Sequence, residues 1–192
     1  MHYLGDREQA LFNQIIEMQR EITALRFERW REYELLKPQW WLLLILFTVP
    51  WIVWWKLVDR KRIVEIFLYG MLVEAISVTL DVIFGELTFW VYPFKLFPII
   101  PRYVEYDLAL MPVSFMLVYQ YFPRWKTFIL AIAALSALLS FVGEPIAVWL
   151  GLYQPLAWKF HYSFFVYIAM GVYIKWLVDL TVKIKNRAFG RY

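Results

Sequence analysis

The sequence predicts an all-α protein, a polytopic transmembrane helix bundle of five spans preceded by an amphipathic helix. Three observations carry that prediction. The 192 residues are 62% hydrophobic, where a soluble domain is closer to half apolar. The apolar residues gather into five runs, Leu36–Trp55, Ile63–Phe84, Tyr103–Phe122, Thr127–Tyr153 and His161–Val182, each long enough to cross ~30 Å of hydrocarbon as a helix. Trp and Tyr bracket the runs, with Trp40 and Trp41 opening the first and Trp51, Trp54 and Trp55 closing it. These rings favour the boundary between lipid and water.

Residues 1–35 read as a separate amphipathic helix. Leu4, Leu11, Ile15, Met18, Ile22 and Leu25 recur on a heptad stripe, widened by Phe12 and Ile16. Charges fill the rest, with Glu17–Arg20 and Glu28–Arg31 at helical pairing distance. The helix is expected to lie on the membrane or pack against the bundle. A homo-oligomer or a protein partner held through residues 1–35 is the alternative.

Lys37-Pro38 breaks this helix and the bundle, residues 36–182, begins. Pro50 interrupts the first run, so a steep span or a re-entrant segment are both open. The second connection, Gly85–Arg102, holds Phe89, Trp90, Tyr92, Phe94 and Phe97 among Pro93, Pro98 and Pro101. Its prolines exclude a continuous helix, and it is expected to cover one mouth of the bundle. Pro123–Lys126 and Gln154–Phe160 join the remaining spans, and 183–192 reads as a basic tail.

Lys56, Arg60, Lys61, Arg62, Arg124 and Lys126 occupy the first and third connections, and Lys183, Lys185, Arg187 and Arg191 the tail. The second and fourth connections carry only Lys95, Arg102 and Lys159. The cation-rich side is expected to face the cytoplasm, putting the C-terminus inside and, with five spans, the N-terminus outside. If the first run does not cross, four spans remain and the N-terminus is inside. Nucleic-acid binding is not expected, because no basic stripe occurs away from the flanks of the spans. The chain has no cysteine, which excludes disulfides, thiolate nucleophiles and zinc–cysteine sites. Two histidines, His2 and His161, are too few for a His-based metal site. Neither metal nor cofactor is expected.

Charged groups inside apolar spans are costly and mark function by default. On the second span Gly70, Glu74, Ser77, Asp81 and Gly85 share one helical face. On the fourth, Ser136, Ser140, Gly143 and Glu144 do the same, and on the third Asp107 and Ser114 lie two turns apart. Asp81, Glu86, Glu105, Asp107 and Glu144 fall toward one end of the bundle, as do Arg102, Trp158, Lys159 and His161; Glu74 lies near mid-span. These residues are the candidate ligand or ion site. They are expected to form an outward-facing acidic cavity, partly neutralised by Arg102, Lys159 and His161. The alternative is structural, with the same groups pairing to lock helices together. Lys175–Asp179 reads as a stabilising pair, Gln120 as an interfacial hydrogen bonder, and Pro112 and Pro145 as helix kinks. Gly85-Glu86 and Gly143-Glu144 suggest a parallel repeat of spans two–three against four–five. Ser163 and His161, two residues apart, point to different helix faces and do not make a catalytic pair. No phosphate-binding glycine loop, nucleophile elbow or metalloprotease helix occurs.

Several stretches resemble an uncharacterised multi-pass membrane protein family of spore-forming Firmicutes. They are Pro50-Trp51, Leu57 to Arg62, Trp90-Val91-Tyr92-Pro93, Asp107 with Pro112-Val113, Met116-Leu117 and Tyr119 to Phe122, Ser140 to Pro145, and Trp158-Lys159 with Tyr162-Ser163-Phe164. The resemblance covers most of residues 40–180 and implies a bacterial plasma-membrane protein of about five spans. It brings no activity with it.

Three functions compete. The first is a non-enzymatic membrane protein whose cavity binds or passes a small solute, ion or proton. The second is an assembly or scaffold protein working through the N-terminal helix. The third is an intramembrane enzyme acting on a lipid or isoprenoid with paired carboxyls, for which Glu144-Pro145 gives a faint similarity to small membrane carotenoid cyclases.

Overall fold

Six helical rods and one short pair of strands make up the computed structural model, which describes residues 5–100, 105–188 and 190. Helix α1 (Asp6–Arg29) runs into a π turn, Trp30–Glu34. Leu36, at φ 60°, swings the chain into α2 (Pro38–Leu57). Pro38 takes the first helical turn, where its missing N–H costs nothing. Helix α3 spans Ile63–Glu86. Helix α4 (Met111–Tyr121) is entered through a π turn, Tyr106–Leu110. Helix α5 (Trp125–Leu138), a third π turn (Leu139–Gly143) and α6 (Glu144–Trp149) are continuous. Helix α7 is Phe160–Ala188. Strands β1 (Trp90–Val91) and β2 (Gln154–Pro155) pair antiparallel, Trp90 opposite Pro155.

Among the described residues, four helices are long and apolar enough to cross a membrane: Pro38–Leu57, Ile63–Glu86, Trp125–Trp149 and Phe160–Ala188. Their outer faces are apolar, with Val64 76%, Leu130 73% and Phe165 64% exposed. Such a coat suits lipid, not water. The run Tyr103–Phe122, expected as a further span, is described from Glu105 onward and is shorter, ~25 Å of helix at 1.5 Å per residue. It lies innermost, burying Met111, Pro112, Val113, Phe115, Met116 and Tyr119. Hydropathy does not separate a lipid-facing helix from one enclosed by others, and here the enclosed one reads as an apolar run like its neighbours. Pro50 lies inside α2, which is one unbroken helix and not a re-entrant segment.

The core joins α3, α4, α5 and α7 around Tyr69, Val73, Phe115, Met116, Phe128, Ile132 and Ile174. In lipid this association rests on close packing rather than on expulsion of water. Gly70 and Gly171 supply it: a Cβ on Gly70 would fall 2.4 Å from Met116 Sδ, and one on Gly171 2.7 Å from Ile132 Cγ1. A smaller second cluster, Leu43, Leu96 and Leu152, joins α2 to the two connections at the end where α3 finishes and α7 begins.

Helix α1 does not pack against the bundle. Leu11, Ile15, Met18, Ile22 and Leu25 of its stripe are all exposed, and Leu4 lies outside the described residues. Only its C-terminal end is fixed. The Arg29 guanidinium donates to Glu34 at 2.8 Å and to the Pro93 carbonyl at 2.7 Å. Trp30 Nε1 donates to the Lys95 carbonyl at 3.1 Å, and buried Glu34 accepts the Lys95 N–H at 2.8 Å. Because α1 leads into the first residue of α2, it stands at the same end as the second and fourth connections. Its Arg7, Arg20, Arg26, Arg29 and Arg31 therefore count with those connections, and the cation asymmetry between the two ends is smaller than the connections and tail alone suggest. At the other end α7 absorbs most of the segment expected as a tail. Lys183, Lys185 and Arg187 ride its last turns, where cations suit the negative helix end; Arg191 lies outside the described residues.

Candidate functional site

Two of the three π turns carry the acids of interest, and each stands beside a proline. Asp107 lies within Tyr106–Leu110, ahead of Pro112. Glu144 directly follows Leu139–Gly143 and precedes Pro145. Proline removes a helical N–H and crowds the carbonyl four residues back. For Pro112 that carbonyl belongs to Leu108, and Trp51 Nε1 of α2 donates to it at 2.9 Å. The proline thus frees an acceptor that fastens α2 to the turn bearing Asp107. Wider π turns are frequent where a helix must re-aim side chains at a site.

Asp81, Asp107 and Glu144, from three different rods, all line one cavity of about 320 Å³. Ser77 and Asp81 come from α3, Leu42 and Leu46 from α2, and Ser163, Tyr167 and Met170 from α7. Trp90, Tyr92, Leu152, Tyr153 and Trp158 of the two paired connections close the end. The aromatic groups brace one another: Trp158 lies 5.0 Å from Trp90 and 5.1 Å from Phe84, and Tyr92 lies 5.9 Å from Tyr153, ring centre to ring centre. Leu156 and Ala157 N–H groups donate to the Phe89 carbonyl at 2.9 and 3.0 Å, tying the fourth connection to the second.

The three carboxyls are satisfied unequally. Asp81 Oδ1 accepts from Trp90 Nε1 at 2.7 Å and from the Tyr92 hydroxyl at 2.5 Å. Burial and the Asp81 and Asp107 carboxylates push the Tyr92 hydroxyl well above its ordinary range, so it stays a donor. Asp107 Oδ1 accepts from the Ser77 hydroxyl. Glu144, 9% exposed, accepts from the Tyr167 hydroxyl at 3.1 Å on Oε1, while its Oε2 is buried without a hydrogen-bond partner.

The remaining candidates are dispersed. Trp158 lines the cavity, donating Nε1–H to Ser163 at 2.8 Å. Glu105 is buried behind the wall and accepts the Leu96 N–H at 3.0 Å. Glu74 is half-buried and does not line the cavity, and Glu86 is exposed at the end of α3. Lys159 and His161 are exposed, so they do not neutralise the acids as expected. The buried face of α7 is Ser163, Met170, Gly171, Ile174, Lys175 and Val178, and His161 falls off it; depth along a span was legible, but the angle around it was misread. Ser163 faces inward and His161 outward, so they form no catalytic pair. Arg102 lies outside the described residues. Gly85-Glu86 ends a helix while Gly143-Glu144 sits inside a continuous rod, so the two Gly-Glu pairs occupy unlike positions. Among the described residues, no group of three or more His, Asp or Glu could hold a metal ion.

A second polar cluster lies at the opposite end. Tyr119 donates to Glu65 at 2.5 Å, and Arg62 pairs with Glu65 at 2.7 Å. Lys175, 2% exposed, reaches Asp179 at 3.2 Å, and its ammonium lies 4.8 Å from the Tyr119 ring centre and 5.2 Å from those of Trp125 and Phe128. Gln120 clamps the nearby connection, accepting the Asp59 N–H and donating to the Leu57 carbonyl, both at 2.9 Å. The expected Lys175–Asp179 pair is one edge of this larger cluster. Glu65, Arg62 and Tyr119 were not singled out from the sequence. The available signal was Glu65 one helical step after Arg62 inside an apolar run.

Comparison with protein-family models, with curated proteins and with solved structures finds no match to this chain.

Proposed function

We propose that the protein is a multi-pass integral membrane protein whose end cavity binds a small solute. The observation that carries this reading is the Glu144 carboxyl, buried, lining an open cavity, and with one oxygen unpartnered. A buried carboxyl oxygen without a partner is costly; Glu105 carries one too, away from the cavity, whereas at Glu144 the geometry leaves room for a ligand to supply the partner. In this reading α4 is a fifth, enclosed crossing, and the membrane is the bacterial plasma membrane implied by the family resemblance. The absence of cysteine makes the test clean. Ala147→Cys places a single thiol on the cavity wall. Methyl methanethiosulfonate, small and neutral, is expected to label it in the folded protein in lipid nanodiscs. No labelling there, with full labelling after unfolding, would show a sealed void and overturn the reading.

A second reading adds to the first: α1 associates with another copy of this chain. Its stripe is exposed along the helix, and Arg7, Arg20, Arg26 and Arg29 are matched by Glu8, Glu17, Glu21 and Glu28. That balance suits a helix partner of mixed charge better than an anionic lipid surface, which selects a basic face. Cysteines at Ile15 and Ile22 should cross-link between chains in nanodiscs loaded with two copies, and Ile15→Glu should abolish the link. Equal cross-linking in Ile15→Glu would refute it.

A further inference from the structure

We infer that the cavity is built for a compact organic monocation with an apolar body, a protonated amine or a quaternary ammonium; the inference rests on the cavity being a solute site. Three features of the wall define the chemistry. Among the described lining residues there are three carboxyls and no Lys, Arg or His. An anion would therefore find no cation there and three carboxyls against it, and a neutral solute would leave the Glu144 Oε2 acceptor without a charge-assisted partner. The second feature is the ring content. Trp90, Tyr92, Tyr106, Tyr153, Trp158 and Tyr167 all contribute to the wall, and aromatic faces attract a desolvated cation, Trp best of all. The third is the balance of the surface. Leu42, Leu46, Leu80, Leu110, Ile146 and Val166 supply broad apolar contact, which a hydrated metal ion cannot use.

The spacing of the acids points the same way. All three carboxyls border the space, yet among the described residues no three acidic or imidazole groups could hold one metal ion. They ring a volume of about 320 Å³, which suits a molecule with a charged head and a greasy body. Asp81 and Asp107 are engaged with Trp90, Tyr92 and Ser77. Glu144 is then the head-group acceptor, and Tyr153, with Trp90 and Trp158 of the same cavity wall, supplies the cation's aromatic surface.

The test uses the full chain in nanodiscs with the single thiol Ala147→Cys, and Ser163→Cys as a second, isosteric position. Two reagents of similar size are compared, the trimethylammonium-ethyl and the sulfonatoethyl methanethiosulfonates. Their rate ratio is normalised to the same ratio at Gln154→Cys, which is exposed. The cationic reagent is expected to be favoured at least tenfold within the cavity. Glu144→Gln should bring that preference down to within threefold of the exposed control, with labelling by the neutral methyl reagent unchanged. Phenyltrimethylammonium should slow cavity labelling, and 3-phenylpropionate should not. Equal or faster reaction of the anionic reagent, or protection by phenylpropionate, overturns the cation assignment while leaving an accessible solute site. A preference that survives Glu144→Gln unchanged at both thiol positions overturns the role given to Glu144. Failure of the neutral reagent to label either position overturns the solute site itself.

Discussion

Both ends of the bundle gather charged and phenolic groups, yet dispose of them differently. At the Tyr119 end, cations and carboxylates neutralise one another: Arg62 meets Glu65, Lys175 meets Asp179, and Tyr119 donates to Glu65 at 2.5 Å and to Asp179 at 3.2 Å. At the Glu144 end, three carboxyls border a space, aromatic N–H and O–H donors serve as neutral partners, and Glu144 Oε2 is buried on the cavity wall without a hydrogen-bond partner. The first arrangement is complete within the protein. Among the described residues the second has no cation on its wall, the place the proposed solute would fill. The paired acids Glu65 and Asp179 are half-buried, whereas Asp81, Asp107 and Glu144 are buried, so burial together with a place on the cavity wall sets the two groups apart.

The sharpest way to break the comparison is at the complete end. Lys175→Met removes a buried cation from Asp179 and Tyr119 and should cost on the order of 3 kcal/mol of stability, read as a large fall in thermal midpoint in detergent. A loss no greater than that of an exposed lysine variant such as Lys183→Met would show that the cluster is not a structural keystone. Next in size is Trp51→Phe, which strands the Leu108 carbonyl freed by Pro112. It should cost about 1 kcal/mol and raise amide exchange in the Tyr106–Leu110 turn; an unchanged exchange pattern there would detach α2 from the shaping of the cavity.

Asp81, Asp107 and Glu144 were legible in the sequence because a carboxyl in an apolar run stands out and helical period assigns it a face. Tyr119 was not, since a tyrosine in such a run reads as bulk, and its hydroxyl acquires meaning only when Glu65 and Asp179 arrive from other helices. The limits of α2, α3, α5–α6 and α7 follow the apolar runs within a few residues. The enclosure of α4 did not show, because lipid-facing and protein-facing leucines carry the same hydropathy. Nor did the independence of α1 from the bundle: the heptad stripe records that a partner is wanted without saying which.

Smaller effects sharpen the contrast. Burial raises the Glu34 carboxyl above its ordinary range, only partly opposed by the Lys95 N–H and by Arg29. Its folded-state affinity for a proton exceeds the unfolded one, so its contribution to stability is fullest below the ordinary glutamate range and declines as pH rises through the raised value. Comparing thermal midpoints of the wild type and Glu34→Gln between pH 4 and 8 should show a shallower decline in the variant; parallel curves would remove Glu34 from the account. Least destabilising of all should be Glu144→Gln, which keeps an acceptor for the Tyr167 hydroxyl and removes a buried charge the fold does not pair, so stability is unchanged or rises. A collapse comparable to that of Lys175→Met would mean that Glu144 is as structural as the opposite cluster.

The anchoring of α1 has a mechanical corollary. Arg29 and Trp30 grip the Pro93 and Lys95 carbonyls, one to three residues beyond Tyr92, whose hydroxyl rests on Asp81. A lever ~36 Å long, at 1.5 Å per residue, is thereby pinned to the rim of the chamber. Torque applied to its free arm is delivered within a few bonds of Asp81, so engagement of α1 and the proposed filling of the chamber would share a fulcrum.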